Sequence, residues 1–186
     1  ISDKDRANYT ELYSDPETMQ MFLDNEDLLS KMSLEDWKKE QVSIIAERVD
    51  VLIGRWKEGI PFSAFAIYHR QTGDFVGHVV AGFGDRPGES EIAYIIHKRH
   101  WHKGFGSQAI DAVVQKWMPY LQKQGYETEE MMDGKMMSKV VGRLVATSRV
   151  DNTYSNRILA KNGFTITGQN VAYGHLRNIY EKDIGT

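Results

Sequence analysis

Apolar positions in the first third of the chain recur at the three- and four-residue spacing of helices. Asp3 to Ser14 and Pro16 to Leu23 read as two short helices, with Pro16 suited to a first turn behind Asp15. Ser33 then caps a longer helix in which Leu34, Trp37, Ile45, Val49, Leu52 and Trp56 fall on one stripe, stopped by Gly59 and Pro61. From Phe62 the period drops to two. Phe62 to Arg70 and Phe75 to Gly84 read as strands joined by the turn Gln71-Thr72-Gly73-Asp74, and Glu91 to His97 as a third strand after Arg86-Pro87-Gly88. A glycine-containing loop leads into a helix with Ala109, Ile110, Val113, Val114, Trp117 and Leu121 on one face, bent or ended by Pro119. Arg143 to Val150 reads as a strand, Asn152 to Asn162 as a helix stopped by Gly163, and Phe164 to Ile184 as a closing pair of strands.

This order of helices, antiparallel meander, helix, strand, helix and hairpin predicts an α/β (α+β) fold with one mixed central β-sheet flanked by helices. No repeat or linker interrupts it, so residues 1–186 are expected to form a single domain. With 41% hydrophobic and 26% charged residues the chain can bury a core. A formal net charge of −3 speaks against a dedicated nucleic-acid binder. The absence of Cys excludes disulfides, thiolate metal sites and an acyl-cysteine intermediate. No apolar run nears the roughly 20 residues of a membrane span and no signal peptide is visible, so a cytoplasmic location without a membrane partner is expected. The chain opens on Ile1 rather than Met, as a sequence cut from a longer one would.

The most informative stretch runs from His97 to Ala109, where a strand ends, the chain turns through Gly104 and Gly106, and a helix begins. Unpaired N–H groups and the positive dipole end make a helix start suited to phosphate, and Lys98, Arg99 and Lys103 add charge. A tight turn with a solvated basic rim explains the same residues without a ligand. No Gly-Lys-Ser/Thr triplet marks a Walker loop. Gly104-Phe105-Gly106-Ser107-Gln108-Ala109 does fit the dinucleotide pattern by letter, but the basic segment after the strand and the lack of a suitably spaced acid speak against it. His97, His100 and His102 have no acid or Cys at ligand spacing, so they read as part of the rim and no metal is expected.

Glu91-Ile92-Ala93-Tyr94-Ile95-Ile96 followed by Trp101-His102-Lys103-Gly104-Phe105-Gly106 resembles the acetyl-CoA motif of the GNAT N-acetyltransferases, most of all the branch of ribosomal-protein N-terminal acetyltransferases. Asn152 to Phe164 is similar to the family's Asn-x-x-Ser-x-x-x-Leu-x-Lys-x-Gly-Phe block, and the likeness is best from residue 62 to residue 184. Three features depart from it. Trp101 stands where many relatives carry Gln or Arg, the strand that usually precedes the first helix is missing, and Gly125 to Val141 lengthens a normally short connection. That insertion carries Met131, Met132, Met136 and Met137. It is expected as a short helix tucked onto the body, with an adaptable partner or substrate surface as the alternative.

The resemblance implies acetyl-CoA as co-substrate and direct attack by a primary amine, from a protein N-terminus or a small molecule, in a ternary complex. A non-catalytic CoA-binding or protein-interaction module with the same fold is the alternative. The pantetheine arm would pair with the backbone of Ile95, Ile96 and His97, and the pyrophosphate would lie on His102, Lys103, Gly104, Phe105, Gly106 and Ser107. Asn152, Ser155 and Asn156 would face the thioester. A side chain at Gly106 is expected to stand where a phosphate must approach. Alternation along the third strand sets Glu91, Ala93, Ile95 and His97 on one face. Together with the resemblance this makes Glu91 the candidate base, with Tyr94, His97 and bulk water as rivals. Leu159 occupies the position where many relatives have an acidic Tyr, leaving Ser155, or less favourably Tyr154, to protonate the thiolate. The acidic run Asp24, Glu26, Asp27 reads as a solvated loop that could also draw in a cationic amine. A homodimer is compatible with the sequence.

Overall fold

The computed structural model describes residues 1–21, 33–132 and 134–185. Leu23 and the acidic run Asp24, Glu26, Asp27 lie outside them. A single turn at Asp3–Asp5 leads into α1 (Arg6–Tyr13), and α2 (Pro16–Met19) opens with the Asp15 carboxylate accepting from the Glu17 N–H. Ser33 caps α3 (Leu34–Lys57), its hydroxyl accepting from the Asp36 N–H. Trp37, Ile45, Val49 and Leu52 are buried as the stripe predicts, whereas Leu34 is exposed at the first turn.

Strands β1 (Ala64–Tyr68), β2 (Phe75–Phe83) and β3 (Glu89–Ile96) form the meander. The helix after the glycine loop, α4 (Phe105–Ala112), does not stop at Pro119. It passes through a π turn at Val113–Trp117 that absorbs the proline's missing N–H and continues as α5 (Met118–Gln124), ended by Gly125 at φ 73°. Then follow β4 (Glu127–Met132), β5 (Lys135–Val140), β6 (Arg143–Arg149), α6 (Thr153–Lys161), β7 (Thr165–Ala172) and β8 (His175–Asp183).

The insertion is therefore a two-stranded hairpin and not a helix, with Met131 opposite Met136 and Met132 opposite Lys135. Within it Gly134 takes φ 75°, the left-handed region that tight hairpin turns favour. Its base is anchored where the buried Thr128 hydroxyl accepts from the Gly88 N–H at 2.7 Å.

Six strands make one sheet in the order β1-β2-β3-β6-β8-β7, antiparallel except for β3 beside β6. One face carries α4, α5 and α6 over a core that includes Ile92, Ile110, Leu144 and Leu159. The other carries α1 and α3 over Tyr9, Trp37, Ile45, Phe75 and Ile95. Trp56 and Trp117 are only half-buried and pack on each other at 5.8 Å, at the edge of the core. Gly77 lets β2 and β3 approach, because a Cβ there would lie 2.1 Å from the Ile95 carbonyl oxygen.

Candidate functional site

Where β3 and β6 run side by side they pair over three positions only: Glu89 with Arg143, Ser90 with Leu144, and Glu91 with Val145. Beyond Glu91 the strands part. The His97 N–H is bonded to the Val76 carbonyl at 2.9 Å. Alternation then directs the amides of Ile95 and Ala93 to β2 as well, and turns those of Tyr94 and Ile96 toward the gap. The expected backbone set of Ile95, Ile96 and His97 is thus corrected: Ile95 and His97 serve the sheet. The Ile96 carbonyl accepts from the Trp101 indole N–H at 2.6 Å, which leaves the Ile96 N–H and the Tyr94 peptide groups facing the gap. Trp101, the residue that departs from the common family pattern, folds back to make this bond.

A cavity of about 560 Å³ fills the gap. Tyr94, Ile95 and Ile96 line it from β3; Gly104, Phe105, Gly106 and Ser107 from the start of α4; Asn152, Ser155 and Ile158 from α6 and its cap. Thr18, Gln20 and Met21 close one end. Gly104 has φ 82° and caps α4 without a side-chain bond, so the first N–H groups of the helix have no intrahelical partner. The positive φ makes Gly104 the glycine that the turn requires. Gly106 acts differently from expectation. Its Cβ would point inward and meet Tyr94 Cε2 at 3.1 Å and Ile158 Cδ1 at 3.3 Å, so the missing side chain lets α4 pack on β3 and α6. His102, in the left-handed region at φ 59°, sets its ring 4.6 Å from that of Tyr154 across the mouth.

On the far arm the Asn152 side chain accepts from the Ser155 N–H at 3.1 Å, as an N-cap. Tyr94 donates its hydroxyl proton to Ser155 Oγ at 3.1 Å, bridging the two arms. Burial holds the Tyr94 phenol above its usual range. Because Ser155 Oγ accepts from Tyr94, its own proton is free to be given into the cavity.

The basic rim is largely spoken for. Lys98 pairs with Glu17, Arg99 with Glu11 at 2.7 Å, and His97 with Glu11 at 3.3 Å, all turned toward α1 and α2. His100 Nε2 accepts from Arg99, and burial and the adjacent cations lower its pKa. Lys103 donates to the Arg99 carbonyl beside the glycine loop. Among the described residues no three His, Asp or Glu side chains converge as a metal site needs.

Residues 1–165 match the sequence profile of the acetyltransferase (GNAT) domain. The chain belongs to the GNAT acetyltransferase family. Among curated proteins none matches it. Solved structures with the same fold include a ribosomal-protein-alanine N-acetyltransferase from Brucella melitensis, 17% identical, covering 98% of this chain and 96% of that one at a TM-score of 0.64. The paiA N-acetyltransferase of Thermoplasma acidophilum, in complex with coenzyme A, is 14% identical over 98% and 95% of the two chains at 0.65. RimL, a ribosomal L7/L12 α-N-protein acetyltransferase bound to coenzyme A, is 19% identical over 98% and 90% at 0.64.

In this GNAT domain the cavity gathers Ile95, Ile96, His102, Gly104, Phe105, Gly106, Ser107, Asn152 and Ser155. Four other predicted residues stand outside it. His97 and Lys103 are bonded as above. Asn156 ties α6 to the sheet, donating to the Arg149 and Val150 carbonyls and accepting from the Tyr180 hydroxyl at 3.0 Å. Glu91 faces the opposite side of the sheet, with Ala93 and Ile95. Its side chain keeps contact with solvent, yet burial first and the Asp85 carboxylate second raise its pKa, opposed by Arg177. Arg177 is 6% exposed and donates to Thr147 Oγ1 at 3.2 Å. Thr18, Gln20 and Met21 carried no signal in the sequence, since only folding brings α2 to the end of β3.

Proposed function

We propose that the chain is an acetyl-CoA-dependent N-acetyltransferase that passes an acetyl group directly to a primary amine, with no covalent enzyme intermediate. The single observation that carries this reading is the parting of β3 from β6 after Glu91, with free peptide groups on one arm and the uncapped start of α4 at the end. Tyr94 and Ile96 would hold a pantetheine arm by their peptide groups, and the N–H groups of α4 would hold the pyrophosphate. When bound, acetyl-CoA supplies an activated thioester and a thiolate leaving group. The chain's own part is proton transfer on opposite faces of one strand. Glu91, on the α3 face, takes the proton of the incoming amine, directly or through water. Ser155, on the α6 face, gives a proton to the departing sulfur and is replenished by the Tyr94 hydroxyl. The raised pKa keeps the Tyr94 phenol protonated at neutral pH, so it enters this relay with its proton in place and not as a base.

A thiol-release assay with acetyl-CoA over peptide and small-molecule amines, run beside calorimetry of coenzyme A, tests the proposal. Binding with amine-dependent thiol release is the expected result. Binding without turnover of any acceptor would identify a CoA-binding module, and failure to bind would sink the reading altogether.

A further inference from the structure

Back to back with the first cavity, on the opposite face of β3, lies a second of about 530 Å³. Ala93 belongs to one and Tyr94 to the other. The two therefore sit at the same level of the strand, beside the gap that opens after Glu91. His78, Val80 and Ala93 form the floor, Arg48, Val51 and Arg55 of α3 the wall, and Tyr13 of α1 the end.

The cations of this cavity are not neutralised by the groups around them. The Arg48 guanidinium lies 5.9 Å from the centre of the Tyr13 ring and has no carboxylate at ion-pair distance among the described residues. Arg55 donates to the Phe62 carbonyl at 2.9 Å, and Glu47 is the one acidic side chain on the wall, so the cations outnumber it. His78 is 1% exposed. Its Nε2 lies 2.9 Å from the Tyr13 hydroxyl, while its Nδ1 is buried without a partner. Burial, with Arg48 second, lowers His78 to about 3, so the ring is neutral and carries one N–H. The Tyr13 O–H can donate to His78 Nε2 while its oxygen accepts from Arg48, so the phenol is satisfied within the cavity. The Arg48 guanidinium keeps further donors and a charge that no described carboxylate meets, and an anionic oxygen entering the cavity would pair with it.

We infer that this cavity takes the far end of the acceptor, and that the acceptor is a small amine that also bears a carboxylate, held by Arg48 while its amine reaches the gap past Glu91. The inference rests on the transferase reading above. A polyamine or a second cationic group would meet Arg48 and Arg55 and be disfavoured.

The test uses the ω-amino acids from β-alanine to ε-aminocaproate, each against its carboxamide and against the diamine of equal length. For the best chain length kcat/KM should favour the carboxylate over the carboxamide by at least about tenfold, the usual worth of a charge-assisted bond. Arg48→Gln should bring that ratio to about one, and Arg48→Lys should keep part of it. A wild-type preference for the carboxamide or the diamine, or a ratio untouched by Arg48→Gln, overturns the inference. Glutarate, which has no amine, reads the site without turnover. Calorimetry should find saturable binding to the full chain, weakened at least about tenfold in Arg48→Gln; no saturable binding, or equal binding in the variant, also overturns it. Coenzyme A calorimetry on the same samples separates the two ideas, because failure there sinks the transferase reading and leaves the carboxylate site to the glutarate result.

Discussion

Glu91 shows how one side chain can be tuned against stability. Its raised pKa means that the folded chain holds this proton more tightly than the unfolded one, so ionising it weakens the fold as pH rises through the unfolded value toward the folded one. At neutral pH, Glu91→Gln should therefore melt at the same temperature or higher, while kcat falls by at least about tenfold. The loss should shrink at high pH, where the amine deprotonates unaided. A variant whose pH–rate profile matches wild type would remove Glu91 from the mechanism. Ser155 and Tyr94 make a second residue-scale case, because the 3.1 Å bond between them predicts that their effects overlap. Ser155→Ala and Tyr94→Phe should each slow turnover, and the double variant should be less impaired than the product of the two, a coupling of about 0.5–3 kcal/mol in a double-mutant cycle. Independent, additive losses would break the proposed relay.

At the scale of elements, three glycines do three different things. Gly77 holds β2 against β3, and Gly77→Ala should lower denaturant stability by about 1–3 kcal/mol or more, since the added carbon meets backbone and cannot rotate away. Gly104→Ala leaves room for the side chain and strains only the turn. It should weaken coenzyme A binding with a small change in melting temperature, whereas Gly106→Val should unsettle the fold as well, by pressing on Tyr94 and Ile158. Melting curves beside titration calorimetry separate the two. The β4–β5 hairpin leaves Met131 at 59% and Met136 at 58% exposure, although they face each other across the strands. Replacing both by Ser should change stability by less than about 1 kcal/mol, the range of a cross-strand pair, and a larger loss in chemical denaturation would mean the hairpin is buried by something else.

Across the whole molecule, the buried neutral His78 ties the α1–α3 face to pH. Its folded pKa of about 3 lies below the ordinary 6.5, so its contribution is complete above about pH 6.5 and is lost as pH falls through the window toward 3, at up to about 1.4 kcal/mol per pH unit. Denaturant midpoints measured down that window should fall less steeply in a folded His78→Gln variant; identical slopes would contradict the burial of a neutral ring. Much of this molecule could be read in one dimension. The helical stripe around Trp37 and Ile45, the strand periods from Phe62 onward, the Asn152 cap and the turn at Gly104 are local: each depends on residues a few positions apart, whose spacing or backbone freedom dictates the element. Gly134, at φ 75°, is equally local, although the insertion around it is expected as a short helix from the sequence. What folding alone decided is non-local. The register of β3 against β2 commits the amides of Ile95 and His97 to the sheet, and the close packing of α4 makes Gly106 a contact with Tyr94 and Ile158. Glu11 and Glu17 neutralise Arg99 and Lys98 from the far end of the chain. Arg48, Tyr13 and His78 come from a long helix, a short one and a strand, with no spacing to connect them. Only burial of the two sheet faces brings such groups together, because apolar area is indifferent to chain distance, and it leaves the Arg48 charge facing one cavity.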